Sequence, residues 1–97
     1  MKKTFPLTHP KIKPARLVDA IRAEVNKYLK RERRKDLPEG FDFWDFNCKV
    51  GSSADAAQDV HVSELSQSIG ETLEQGHGNC YVEMVAKARK RRSKDLS

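Results

Sequence analysis

The stretch Phe41-Asp-Phe-Trp-Asp-Phe-Asn-Cys-Lys-Val-Gly-Ser-Ser-Ala-Asp-Ala-Ala-Gln-Asp-Val-His-Val62 decides the fold, because it fixes how many strands the sheet has. Its first ten residues alternate. Trp44, Phe46, Cys48 and Val50 fall on one face and Phe43, Asp45, Asn47 and Lys49 on the other, which is the pattern of a half-buried strand. Gly51 to Gln58 carries no period and reads as a loop. Asp59 to Val62 is then either a short return strand pairing with the first or the lead into a following helix.

Working towards the N-terminus, Leu37-Pro-Glu-Gly40 stops a helix that begins at Pro14, where a missing N–H costs nothing. Leu17, Val18, Ile21, Val25, Tyr28 and Leu29 share one face of that helix, which the pattern carries to about Lys35. Ahead of it, Thr8 to Lys13 is a loop and Lys2 to Leu7 a short strand restricted by Pro6. Towards the C-terminus, Ser63 is a plausible N-cap for a helix with Leu65, Ile69 and Leu73 at four-residue spacing, broken by Gly76 and Gly78. Gly70 sits inside that helix and weakens it by about 1 kcal/mol relative to alanine unless close packing requires it. Cys80, Val82, Met84 and Ala86 alternate as a last strand, followed by a charged tail from Ala88 to Ser97.

With the return strand, the order is βαββαβ, the split pattern of a ferredoxin-like α+β sandwich with two helices on one face of an antiparallel sheet. Without it, a three-stranded βαβαβ arrangement remains. The four-stranded form is preferred, since the loop after Val50 can turn the chain back and a fourth strand gives both helices more sheet to cover. Residues 1–87 are read as one domain and 88–97 as a flexible basic tail, as suits a chain of 97 residues with a small core.

Charge is sorted along the chain. Met1 to Lys35 has a net charge of +9, Asp36 to Ala86 of −9 and Lys87 to Ser97 of +5. Clustered cations usually meet polyanions, although an acidic middle in the same molecule can also satisfy them. No apolar run suggests a membrane span or secretory signal, so a soluble cytoplasmic protein with no membrane partner is expected. Cys48 and Cys80 lack CxxC spacing and share strand phase with apolar residues, which reads as two buried reduced thiols.

The densest candidate for function is Lys27-Tyr-Leu-Lys-Arg-Glu-Arg-Arg-Lys35. Arg16, Lys27, Lys30 and Arg34 lie on one strip away from the apolar face, with Arg31 beside it, a line of cations able to follow a phosphate backbone. The plainer account is that cations suit a helix C-terminus and an exposed helix face. Arg89, Lys90, Arg91, Arg92 and Lys94 form a second basic element that would add reach. If four to six of these cations met phosphates, log affinity would fall against log salt with a slope of about −4 to −5 on duplex DNA. Phe43 and Tyr81 fall on the strand faces opposite the core and could stack bases, or could instead cover a sheet edge or a dimer contact. Glu32 is peculiar in lying on the apolar side of its helix. His61, His77 and Cys80 supply too few ligands for structural zinc, Asp42 and Asp45 point to opposite faces, and no nucleotide-binding or nucleophile motif occurs. Neither an enzyme, a metal nor a cofactor is expected.

Met1-Lys-Lys-Thr-Phe-Pro-Leu-Thr8, the basic stretch 27–35, Leu37-Pro-Glu-Gly-Phe-Asp-Phe-Trp-Asp-Phe46 and Tyr81-Val-Glu83 resemble a small, uncharacterised bacterial protein family of unknown function. The likeness spans nearly the whole chain. It implies a bacterial cytoplasmic origin and a self-contained domain, and it carries no activity. The function expected from the residues is a non-enzymatic nucleic-acid-binding module, RNA rather than sequence-specific DNA. The alternative is a protein-interaction or self-association module in which the basic helix meets the acidic middle.

Overall fold

Pro14 occupies the first position of helix α1 (Pro14–Arg33), as its preset φ requires, and Val18, Ile21, Val25 and Leu29 form the buried stripe predicted from their spacing. Burying each of these side chains is worth about 1.5–3 kcal/mol before ordering costs, so α1 is held by packing and needs no side-chain N-cap. The computed structural model describes residues 1–91. Besides α1, these form strands β1 (Lys2–Pro6), β2 (Phe43–Gly51), β3 (Gln58–Val60) and β4 (Asn79–Arg89), and a second helix α2 (Leu65–Glu74).

The return strand exists, and the architecture is α+β in the order βαββαβ. Its bounds are earlier than expected: β3 spans Gln58–Val60 and pairs with Cys48–Val50, while Val62–Glu64 is a single 3₁₀ turn. Ser63 does not cap α2. The cap belongs to His61, whose Nδ1 accepts from the Ser63 backbone N–H at 3.1 Å, and α2 starts at Leu65 without a side-chain cap. Gly76, at φ 81°, follows the last turn of α2.

All strand pairs are antiparallel and the neighbour order is β1-β4-β2-β3. A ferredoxin-like sandwich keeps β1 inside its sheet, whereas here β1 is an edge and β4 lies inside. Length and composition explain the difference. β1 has five residues and ends at Pro6, which cannot donate to a second neighbour, whereas β4 has eleven and can pair on both sides. β4 matches β2 from Phe43↔Arg89 to Gly51↔Tyr81 and β1 from Lys2↔Glu83 to Pro6↔Asn79. At the start of the chain, the Met1 amine donates to the Met84 carbonyl at 2.7 Å and the Met84 N–H donates to the Met1 carbonyl at 2.7 Å.

Both helices cover one face of this sheet. Phe5 and Leu7, Phe46, Cys48 and Val50, and Cys80, Val82 and Met84 meet the α1 stripe and Leu65 and Ile69 of α2 in one core. Trp44 is half-buried at the margin of that core, and its Nε1 donates to the Lys35 carbonyl at 2.9 Å. The hairpin between β2 and β3 needs glycine at position 51, because a Cβ there would lie 2.6 Å from the Ala57 Cα. No helix is long and apolar enough to cross a membrane among the described residues.

β4 continues through Ala88 and Arg89, paired with Trp44 and Phe43, so these two residues belong to the sheet and not to a tail. Arg92 and Lys94 lie outside the described residues.

Candidate nucleic-acid interface

The C-terminal half of α1 and the end of β4 reach the same end of the molecule. Their meeting is held by specific contacts: Trp44 to the Lys35 carbonyl, the Asp42 N–H to the Arg89 carbonyl at 2.9 Å, and the Arg91 N–H to Asp42 Oδ2 at 2.8 Å. The Arg33 guanidinium lies 5.4 Å from the centre of the Phe46 ring, and the Lys90 ammonium 5.9 Å from that of Phe41. The two basic elements read separately from the sequence thus share one corner of the molecule, with Lys27, Lys30, Arg31 and Arg34 on the helix side of the sheet and Arg89, beside Phe43 and Asp45, on its open side, followed by Lys90 and Arg91.

All seven of these cations are exposed. Among the described residues, no carboxylate lies within 4.0 Å of the side-chain cations of Lys27, Lys30, Arg34 or Lys90, whereas Arg31 and Arg89 are paired. Arg89 Nε sits 2.6 Å from Asp45 Oδ2. The Asp45 carboxyl, which also accepts from the Phe46 N–H at 2.8 Å, is held below the usual carboxylate range first by that backbone bond and then by Arg89. Arg31 rests over the Tyr28 ring at 5.4 Å, with its Nε 4.0 Å from Glu32. Arg16 stands apart, about 27 Å along the helix axis from Arg34 at 1.5 Å per residue.

Beside the corner, Met1, Lys3, Glu24, Lys27, Tyr28 and Arg31 contribute to an open groove of about 730 Å³ between β1 and α1. Lys3 and Glu24 close one side with an ion pair at 3.2 Å. Glu32 explains its place on the apolar side here. Its Oε1 accepts from the Tyr28 hydroxyl at 3.5 Å, and Oε2, which makes no hydrogen bond of ordinary angle, is met by the Lys35 ammonium at 2.7 Å. Lys35 is the main reason that the Glu32 carboxyl is held below its ordinary range. Burial, followed by the Glu32 charge, pushes the Tyr28 hydroxyl up.

The sheet's open face separates the two aromatic candidates. Phe43 faces Arg89 at one end of β2 and Tyr81 faces Gly51 at the other, about 26 Å apart along the strand. Tyr81 is 8% exposed, and its hydroxyl donates to Glu83 at 2.8 Å, the main cause of its raised pKa. Between them the face alternates in sign, with Lys2, Glu83, Lys49 and Asp59 successive across the sheet. Phe43 is brought to the basic corner and Tyr81 is not.

One exposed aromatic of the corner escaped the sequence reading. Phe41 precedes β2 in a turn whose N–H donates to the Pro38 carbonyl at 3.2 Å, and it is 39% exposed beside the 37% exposed Phe43. The strand period assigned Phe41 to the start of β2, and only the loop geometry reveals it as part of the corner.

No curated protein and no solved structure matches the chain. A family model matches residues 1–95, and its description is a family of unknown function. The chain belongs to that family of unknown function, DUF6172.

Proposed function

We propose that the protein is a non-enzymatic nucleic-acid-binding module that takes RNA through phosphate contacts from the C-terminal half of α1 and the end of β4. The observation that supports this reading is the convergence of two separately encoded basic elements at one corner, where Lys27, Lys30, Arg34 and Lys90 stay clear of carboxylates among the described residues. Cations already satisfied by the protein would gain little from a phosphate. Cations clear of one release counterions when a phosphate arrives.

The test is fluorescence anisotropy of labelled RNA over a salt series. Four to six phosphate contacts give a slope of log affinity against log salt of about −3 to −5. Changing Lys27, Lys30 and Arg34 together to Glu is expected to weaken binding at least tenfold and to flatten the slope by about three, one per lost contact. Unaltered affinity and slope in that variant would remove the proposal.

Self-association is the second reading. It draws on the acids of α2, since Glu71 and Glu74 have no Lys or Arg within 4.0 Å among the described residues. A dimer seen by size-exclusion at low salt and lost in the same triple variant would favour it.

A further inference from the structure

We infer that the basic corner takes a single-stranded segment of RNA, with bases stacked on Phe41 and Phe43 and phosphates held by Lys90, Arg91 and the exposed cations of α1. The inference rests on the RNA reading above and assigns the form of nucleic acid to the same corner.

Large exposed apolar side chains are few among the described residues: Ile12, Phe41, Phe43 and Val85. Two of these four are phenyl rings, separated by one residue, at the place where β4 ends in Arg89, Lys90 and Arg91. A phenylalanine gains nothing from water, and here the core is already filled without either ring. Rings left exposed among cations match what single-strand binders use: a basic track for the backbone and flat aromatic faces on which any base can stack. A duplex keeps its bases stacked inside and would offer these rings nothing except its ends.

The surroundings favour this occupant over a second copy of the chain. Beside the rings stand Arg89, opposite Phe43 in the sheet, with Lys90 over Phe41 and Arg91 next to it, so two such ring faces brought together would set like charges against each other. Of the carboxylates of the same region, Asp45 is engaged by Arg89 and the Phe46 N–H, Asp42 by the Arg91 N–H and Glu32 by Lys35, while Asp36 and Glu39, exposed ahead of Phe41, carry no ion pair among the described residues. The Asp42 side chain also fixes the backbone at Arg91, which places the first tail cations beside Phe41. The rings are supported from below as well. Phe43 pairs with Arg89 in the sheet, and the Lys90 ammonium lies over Phe41, where an incoming phosphate could take it while a base takes the ring face.

Anisotropy would be measured for a labelled single-stranded RNA of mixed sequence, the same sequence as a blunt RNA duplex and the corresponding DNA duplex, each at low and moderate salt. The wild-type chain is expected to bind the single strand at least about fivefold more tightly than either duplex. Phe41→Leu/Phe43→Leu keeps apolar bulk and removes the rings. It should cost tenfold or more on the single strand, leave the duplexes unchanged and preserve the salt slope. Phe41→Trp/Phe43→Trp should restore the single-strand affinity. Unchanged thermal melting in both variants keeps the comparison free of folding effects, and both rings are exposed enough for that. Equal or tighter duplex binding, or indifference to the leucine substitutions, would overturn the single-strand assignment and leave the phosphate reading standing. Absence of binding to all three nucleic acids would defeat that reading itself, and this inference with it. Loss of a dimer in the leucine variant would mark the rings as a contact between copies and overturn the inference too.

Discussion

Glu32 is a carboxylate placed on the packed side of a helix and kept charged by a lysine one turn on. The Lys35 ammonium at 2.7 Å and the Tyr28 hydroxyl favour the ionised form, so its folded pKa lies below the ordinary carboxylate value. The stabilisation it gives is present above that ordinary value and is lost as pH falls through the depressed one. Glu32→Gln is therefore expected to lower the melting temperature at neutral pH, and the difference from wild type should shrink as pH falls below the ordinary carboxylate range and vanish once Glu32 is protonated in the folded chain. A difference that persists there would mean that the side chain acts through shape and not charge. The two thiols run the other way. Cys48 and Cys80 are 2% and 0% exposed, and burial, the main cause for both, pushes their pKa values up, so neither is a ready nucleophile. A thiol-specific chromogenic reagent should label neither in the native protein at neutral pH and both after denaturation. Rapid labelling of the folded chain would contradict the packing.

At the scale of the element, Gly70 is the instructive position. A Cβ there would lie 2.6 Å from Nη2 of Arg22, a side chain whose Nε donates across to the Ser66 carbonyl at 3.0 Å. The close approach that glycine permits is therefore with the flexible end of an α1 side chain and not with backbone. Two costs oppose each other: glycine inside α2 forfeits about 1 kcal/mol of helix propensity, and alanine would displace the guanidinium. Gly70→Ala is expected to stabilise an Arg22→Ala chain by about 1 kcal/mol and the wild-type chain by less, the gap being the coupling read from a double-mutant cycle by urea unfolding. Equal gains would show that Arg22 is indifferent to position 70. The elements themselves were legible wherever one period ran long enough, as in the α1 stripe and the alternation in β2 and β4. Their ends were not. Ser63 has the right chemistry for a cap, but it lies within the 3₁₀ turn with its Oγ 2.7 Å from His61 Nδ1, and Ala88 and Arg89 look like tail until Trp44 and Phe43 are found opposite them. The basic strip of α1 could be read because helical spacing alone brings its members together. Its meeting with Arg89 to Arg91, and the exposure of Phe41, depend on contacts between segments nearly fifty residues apart, which no local pattern encodes.

For the molecule as a whole, the decisive arrangement is the last strand lying between the first and the second. β1 has no strand neighbour except β4, and β2 otherwise has only the three residues of β3. A fragment ending at Gly78 keeps both helices and loses the middle of the sheet, and short hairpins do not stand alone. Circular dichroism and proton spectra of that fragment are expected to be those of an unfolded chain with at most residual helix. Dispersed methyl signals would show that the helices and β1 suffice for a core. Register also decides where added residues would go. Met1 and Met84 exchange both of their hydrogen bonds, so any residues joined ahead of Met1 in the line of β1 would run beside Ala86 and Ala88 towards the basic corner. A purification tag fused there could pair with β4 like a further strand, or bring its own charges to Phe41 and Lys90. For binding measurements, the position of the tag is thus part of the experiment, and a tag cleaved before titration is the sound choice.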